Sequence, residues 1–192
     1  MLREGPKLLH WNYFIVLESD LERLSRYVEF TKDNYETYSL EMAHLLLAAG
    51  SEVDVVLRGL CKKVKPNSKA NNINQYHEIL FPKISNLSKM KVLIYRYNLD
   101  IIPWDNWKRD ETPHWWHAYN NVKHQRDKYF YKAKLQYTVA AIAGLFVAVL
   151  YLYKEEAENG LLTPFPKLLS PEPKYISNLR KTEFGVSISF RL

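Results

Sequence analysis

The sequence predicts an all-α domain over residues 1–154, a helical bundle, followed by a Pro-rich extension over 155–192 that ends in a short β-strand. Three observations carry that prediction. Apolar residues recur at helical spacing along most of the first 154 positions. Glycine occurs only 6 times in 192 residues, too rarely for a turn-rich β fold. Four prolines, Pro164, Pro166, Pro171 and Pro173, then stiffen a segment of different composition.

Residues 10–17 are aromatic and apolar. Ser19 or Asp20 predicts the N-cap of a helix through Leu21, Leu24, Tyr27, Val28 and Phe30, with Glu22 completing a capping box. Lys32-Asp33-Asn34 ends it. The next helix, roughly 38–62, carries apolar residues around most of its circumference, while His44, Ser51, Asp54 and Arg58 share a sector of about 80°. Two readings of that stripe stand. It is held inside against polar partners, or Asp54 and Arg58 form an i,i+4 pair on a solvent-facing strip.

Residues 63–72 read as a basic loop and 73–80 as a short helix ending before Pro82. The period of 91–102 is ambiguous, and it is read as a helix that stops before Pro103. A charged turn follows over 104–111. Pro113 suits the first turn of the next helix. There Trp115, Ala118, Val122 and Tyr129 project to one side, and His117, Asn120, His124 and Asp127 to the other. Arg126 projects near the apolar side, which implies a buried guanidinium paired with Glu52 or Asp54.

Residues 137–153 hold no charge over a length at the short limit for a membrane span. Their many alanines supply weak hydrophobicity, so the segment reads as a core helix covered by the amphipathic ones rather than as a membrane anchor. Residues 184–192 alternate apolar and polar with period two. They suit a strand added to a neighbour or second subunit, or else a frayed tail.

The net charge of +6 is unevenly placed. Residues 1–57 hold 5 basic against 10 acidic side chains, residues 58–134 hold 16 against 6, and residues 135–192 hold 6 against 5. The basic middle block is rich in aromatics, which suits a nucleic-acid backbone with unstacked bases as well as a plain solvated surface. One cysteine, Cys61, excludes an intrachain disulfide framework and fits a reducing compartment. The first residues lack a secretory leader, so a cytoplasmic location is expected. No Cys/His cluster has zinc spacing, and His114 and His117 at i,i+3 lack an accompanying acid. No metal or other cofactor is expected.

Usable chemistry concentrates in Tyr119-Asn120-Asn121-Val122-Lys123-His124-Gln125-Arg126. An imidazole exchanges protons near neutral pH. Amide and cationic groups suit a developing phosphoryl charge. The order of elements also matters: a long apolar helix with an acid four before a base (Asp54, Arg58), then this helix, then a final apolar helix. In that order the chain, over roughly 18–154, resembles the HEPN superfamily of all-α proteins, with a variant Asn-x-x-Lys-His-x-Arg motif. His124 falls at the family's histidine and Asn120 at its polar position. Tyr119 stands where the arginine falls, and Arg126 is the nearest guanidinium.

The resemblance implies a metal-independent endoribonuclease of a toxin–antitoxin or phage-defence type, acting on RNA such as tRNA or mRNA. It implies a homodimer and an antitoxin or regulatory protein partner. His124 would serve as acid or base for attack by the ribose 2′-hydroxyl. Arg126 and Lys123 would neutralise the phosphate, and Asn120 would hold it or orient the imidazole. Asn121, Tyr119, Asp54 and Arg58 would support the site. Because Tyr119 removes a permanent cation, a non-catalytic module that binds RNA, a nucleotide or a protein is the alternative.

Overall fold

Two helices running the same way form the centre of the chain: α2 (Leu40–Val64) and α6 (Leu135–Leu152). The computed structural model describes residues 7–182 and 185–192. Ser39 caps α2 by accepting the Met42 N–H at 3.1 Å, satisfying one of the unpaired donors of the first turn. Near the starts of both helices the Thr138 hydroxyl donates to the Met42 carbonyl at 3.2 Å, and near their ends Lys63 donates to the Leu152 carbonyl at 2.6 Å. These two bonds fix the parallel sense. α6 is the one described helix apolar and long enough to cross a membrane, yet 83% of it is buried inside the protein. That burial explains why it is apolar all round.

Helix α1 (Leu9–Leu24) lies on both. Its Trp11, Phe14, Leu17, Leu21 and Leu24 recur at i,i+3/i+4 spacing and are buried, and the Phe14 and Phe146 rings stack at 5.0 Å. The helix therefore starts ten residues before the expected cap at Ser19, which sits exposed in its interior. Helix α3 (Ile73–Leu80) is capped by Asn72, which accepts the Gln75 N–H. Helix α4 (His114–His124) packs on α2 and α6. Two short helices complete the set, α5 (Arg126–Tyr129) and α7 (Lys154–Glu158).

The all-α expectation is overturned. The chain is mostly helical, but it also holds an antiparallel sheet of three strands and another of two. Residues 91–102 are not a helix. They form a hairpin of β1 (Val92–Ile94) and β2 (Leu99–Ile101), joined by a 3-10 turn at Tyr95–Tyr97 and by Asn98 in the left-handed region at φ 48°. Asn tolerates that conformation through its short polar side chain. The apolar residues here are mostly bulky or β-branched, and Val92 and Ile94 alternate into the core. β3 (Ser170–Pro171) pairs on the other side of β1. The strand expected at the end exists as β5 (Gly185–Phe190), and its partner is the chain's own β4 (Ile176–Thr182). Phe184, where the alternating pattern begins, lies outside the described residues, as do the charged Arg3 and Glu4.

The Pro-rich segment is tied to the helices. Leu162, Leu168 and Leu169 are buried in the core. Trp11 donates its indole N–H to the Pro164 carbonyl at 3.1 Å. Glu18, only 3% exposed, accepts the backbone N–H groups of Lys167 (3.0 Å), Leu168 (2.6 Å) and Leu169 (2.9 Å). A buried carboxylate needs such donors, and here they come from the start of the returning chain.

Candidate nucleic-acid interface

Helix α4 buries one face and offers the other. Trp115 donates its indole N–H to the Pro103 carbonyl at 2.8 Å and packs beside Gly144 of α6. Tyr119 is buried against Gly50 of α2 and lies 5.2 Å, ring to ring, from Trp116. Tyr119 is thus a core residue, and Lys123 extends over its ring at 5.4 Å. Val122 is buried too, and the polar motif residues face outward. Asn120 and Asn121 are half-buried, while Lys123, His124 and Arg126 are exposed.

His124 is the last residue of α4. Gln125, at φ −143°, breaks the helix before α5 begins. The helical projection that placed Arg126 near the apolar side therefore stops applying one residue before it. Arg126 is exposed, not buried, and the acids expected to pair with it are engaged elsewhere. Glu52 lies 2.6 Å from Nδ1 of His10. Asp54 accepts the Arg58 guanidinium and the Tyr76 hydroxyl, the latter at 2.9 Å. Burial pushes the Tyr76 phenol up, and the bond that Arg58 donates to the Tyr76 oxygen together with the Asp54 charge raises Arg58. This triad joins α2 to α3. Among the described residues no hydrogen bond or ion pair links it to His124 or Arg126.

The polar stripe of α2 takes the solvent-facing reading. His44, Ser51 and Arg58 are exposed and Asp54 is half-buried.

Sequence reasoning misses a second grouping. His114, His117 and Asn121 of α4 line a pocket of about 240 Å³ with Tyr131, Lys132, Lys134 and Tyr137. The 3-10 turn at Phe130–Lys132 carries two of these back onto α4. Lys134 is held by Glu36, which raises its pKa and keeps it charged. The signal in the sequence is the His-x-x-His pair followed by Lys-x-Lys just before α6. Weighed only as metal ligands, the two histidines lack an acid and point nowhere. Among the described residues no group of three His, Cys, Asp or Glu is arranged to hold a metal.

Beside the pocket, Lys128 and Lys132 lie 5.0 and 4.9 Å from the centre of the Tyr129 ring. Lys123, Arg126, Lys128 and Lys132 are opposed along 123–132 by Asp127 alone. The arrangement offers ammonium and guanidinium groups for phosphates, phenol rings for stacking, and imidazole nitrogens for hydrogen bonding.

No family model, curated protein or solved structure matches this chain.

Proposed function

We propose that this chain binds RNA through the surface formed by the outer face of α4, α5 and the turn at Phe130–Lys132. The observation that carries the reading is the pocket shared by His114, His117, Asn121, Lys132 and two tyrosines, with the cationic run 123–132 beside it. Phosphate charge sets affinity on such a surface, and exposed phenol rings accept unstacked bases with little regard to sequence. The pocket then takes one nucleotide, its phosphate toward Lys132 and the imidazoles. The test is binding of a single-stranded RNA followed by fluorescence anisotropy across a salt series. Affinity is expected to fall steeply with salt and to weaken in Lys128→Gln and Lys132→Gln. Binding indifferent to both salt and these replacements overturns the reading.

A second reading is favoured by one specific feature. Two imidazoles, two lysines and an amide open onto one pocket, with a third imidazole at the end of the same helix. Attack by a ribose 2′-hydroxyl needs a base, an acid and charge at the phosphate. A HEPN-like endoribonuclease of a toxin or defence system would use such groups without a metal. Total RNA and tRNA incubated in chelator separate the two readings. Cleavage abolished by His124→Ala supports the family motif, whereas cleavage abolished only by His114→Ala or His117→Ala moves the chemistry to the pocket. Intact RNA at high protein concentration leaves binding alone.

A further inference from the structure

A second cationic cleft lies apart from α4. It is bordered by Ser19, Glu22, Arg23 and Arg26 of the last turns of α1 and the residues just beyond, by Arg96 of the β1–β2 connection, and by Lys167 of the returning C-terminal segment. Its volume is about 620 Å³, within the range of small-ligand sites. We propose that this cleft binds an oligophosphate, recognised through its phosphates.

Four cations face one carboxylate there. Glu22 accepts Arg96 Nη2 at 2.9 Å, which fixes that guanidinium in place at the cleft. The Arg23 link to Asp20 is 3.6 Å, too long for a good hydrogen bond. Arg26 and Lys167 have no ion pair among the described residues. The backbone N–H of Lys167 is held by Glu18, so this ammonium is delivered to the cleft by the same contact that docks the segment.

The gathering is not a local accident of sequence. Arg23, Arg96 and Lys167 are more than 70 residues apart from one another, and folding brings them together. The end of α1 contributes some attraction for cations through the helix dipole, but that effect fades within one turn and does not reach Arg96 or Lys167. Like charges in excess at one cleft repel, and a multivalent anion removes the repulsion. Guanidinium forks match phosphate oxygens in pairs. Among the described residues no aromatic side chain lines the cleft, so recognition rests on the phosphates.

Calorimetric titration of the full chain with orthophosphate, pyrophosphate, tripolyphosphate and ATP tests the assignment. One saturable site is expected, with affinity rising from one phosphate to three. Arg26→Gln and Lys167→Gln each weaken tripolyphosphate about tenfold, the loss expected for one charge-assisted hydrogen bond. Both variants should melt with the wild type, since neither side chain has a described partner to lose. ATP binding as tightly as tripolyphosphate identifies the phosphates as the whole ligand, and tighter binding of ATP identifies a nucleotide as the source. Absence of saturable binding, or binding unchanged in the double variant, overturns the proposal. So does a loss of RNA affinity in these variants without oligophosphate binding, because the cleft then belongs to the RNA surface.

Discussion

Tyr119 sets its ring directly on the bare Cα of Gly50: a Cβ at residue 50 would stand 2.4 Å from Tyr119 Cδ2 and 2.5 Å from Cγ. That close approach makes Tyr119 part of the packing between α2 and α4. A guanidinium there would be buried between α2 and α4, at a large desolvation cost unless it were paired. The ring is also braced by Trp116, so it cannot simply swing away. Gly50→Ala is therefore expected to lower stability by about 1–3 kcal/mol through overpacking, outweighing the gain in helix propensity. Gly59 is the internal comparison. The nearest atom to its Cβ would be Leu152 Cδ1 at 3.5 Å, an ordinary van der Waals distance. Gly59→Ala should stabilise by up to about 1 kcal/mol. Urea denaturation of both variants checks the pair, and equal shifts of the same sign would refute the packing argument.

The cationic run makes a graded prediction for RNA. Neutralising Lys128 or Lys132 should reduce the slope of log affinity against log salt by about 1 for each phosphate that the lysine neutralises. His124→Ala should leave that slope nearly unchanged at a pH where the ring is neutral. Asp127→Asn should strengthen binding, since it removes the only acid within 123–132. A salt series on these four variants distinguishes direct phosphate binding from a general dependence on net charge, which would give the three charge changes equal size.

Some of this architecture was legible because it is local. The unbroken apolar runs of α2 and α6 admit one period over many turns, and their bounds fall within two residues of the expected ones. Ser19 and Glu22 imitate a capping box, but Trp11 and Phe14 extend the apolar stripe through them, and the stripe decides the helix. The β1–β2 hairpin was illegible because three-residue strands are too short to display a period. β3 pairs with a strand almost eighty residues earlier, which no window of sequence reveals. At the site, the exposed face of α4 was readable up to His124. Beyond it the break at Gln125 voids the projection that would bury Arg126. The His114–His117 pocket depends on residues 131–137 folding back over α4, so its residue types were visible and their meeting was not.

Cys61 and the buried phenols predict a loss of stability in alkali. Burial pushes the Cys61 thiol up from 9.0 to about 11, and burial likewise raises Tyr76, Tyr151 and Tyr153. The sign follows from proton counting. Below pH 9 the thiol is protonated in both folded and unfolded chains and contributes no slope. Between about 9 and 11 only the unfolded chain releases the proton, so stability falls as pH rises, by at most about 3 kcal/mol for this group. The folded thiol should accordingly resist alkylation at neutral pH and react at once in urea. Denaturation curves recorded from neutral pH up through the shift from 9.0 to about 11, with thiol labelling in parallel, test both halves. A thiol labelled rapidly in the folded state would refute its burial.

Glu18 predicts how firmly the C-terminal segment is held. Its Oε1 accepts Leu168 and Leu169, and its Oε2 accepts Lys167. In Glu18→Gln one oxygen still serves the first two donors, but the amide NH2 then confronts the Lys167 N–H, donor against donor. Losing one charge-assisted bond and stranding a buried donor should cost about 1–3 kcal/mol. Glu18→Ala strands three donors and should cost more. The damage should be local before it is global, because Trp11 still binds the Pro164 carbonyl and β3 still pairs with β1. Limited proteolysis should then cut Glu18→Gln around residues 163–169 while α2 and α6 stay intact. If the variant resists protease as well as the wild type and unfolds at the same urea concentration, the carboxylate is not what anchors the segment.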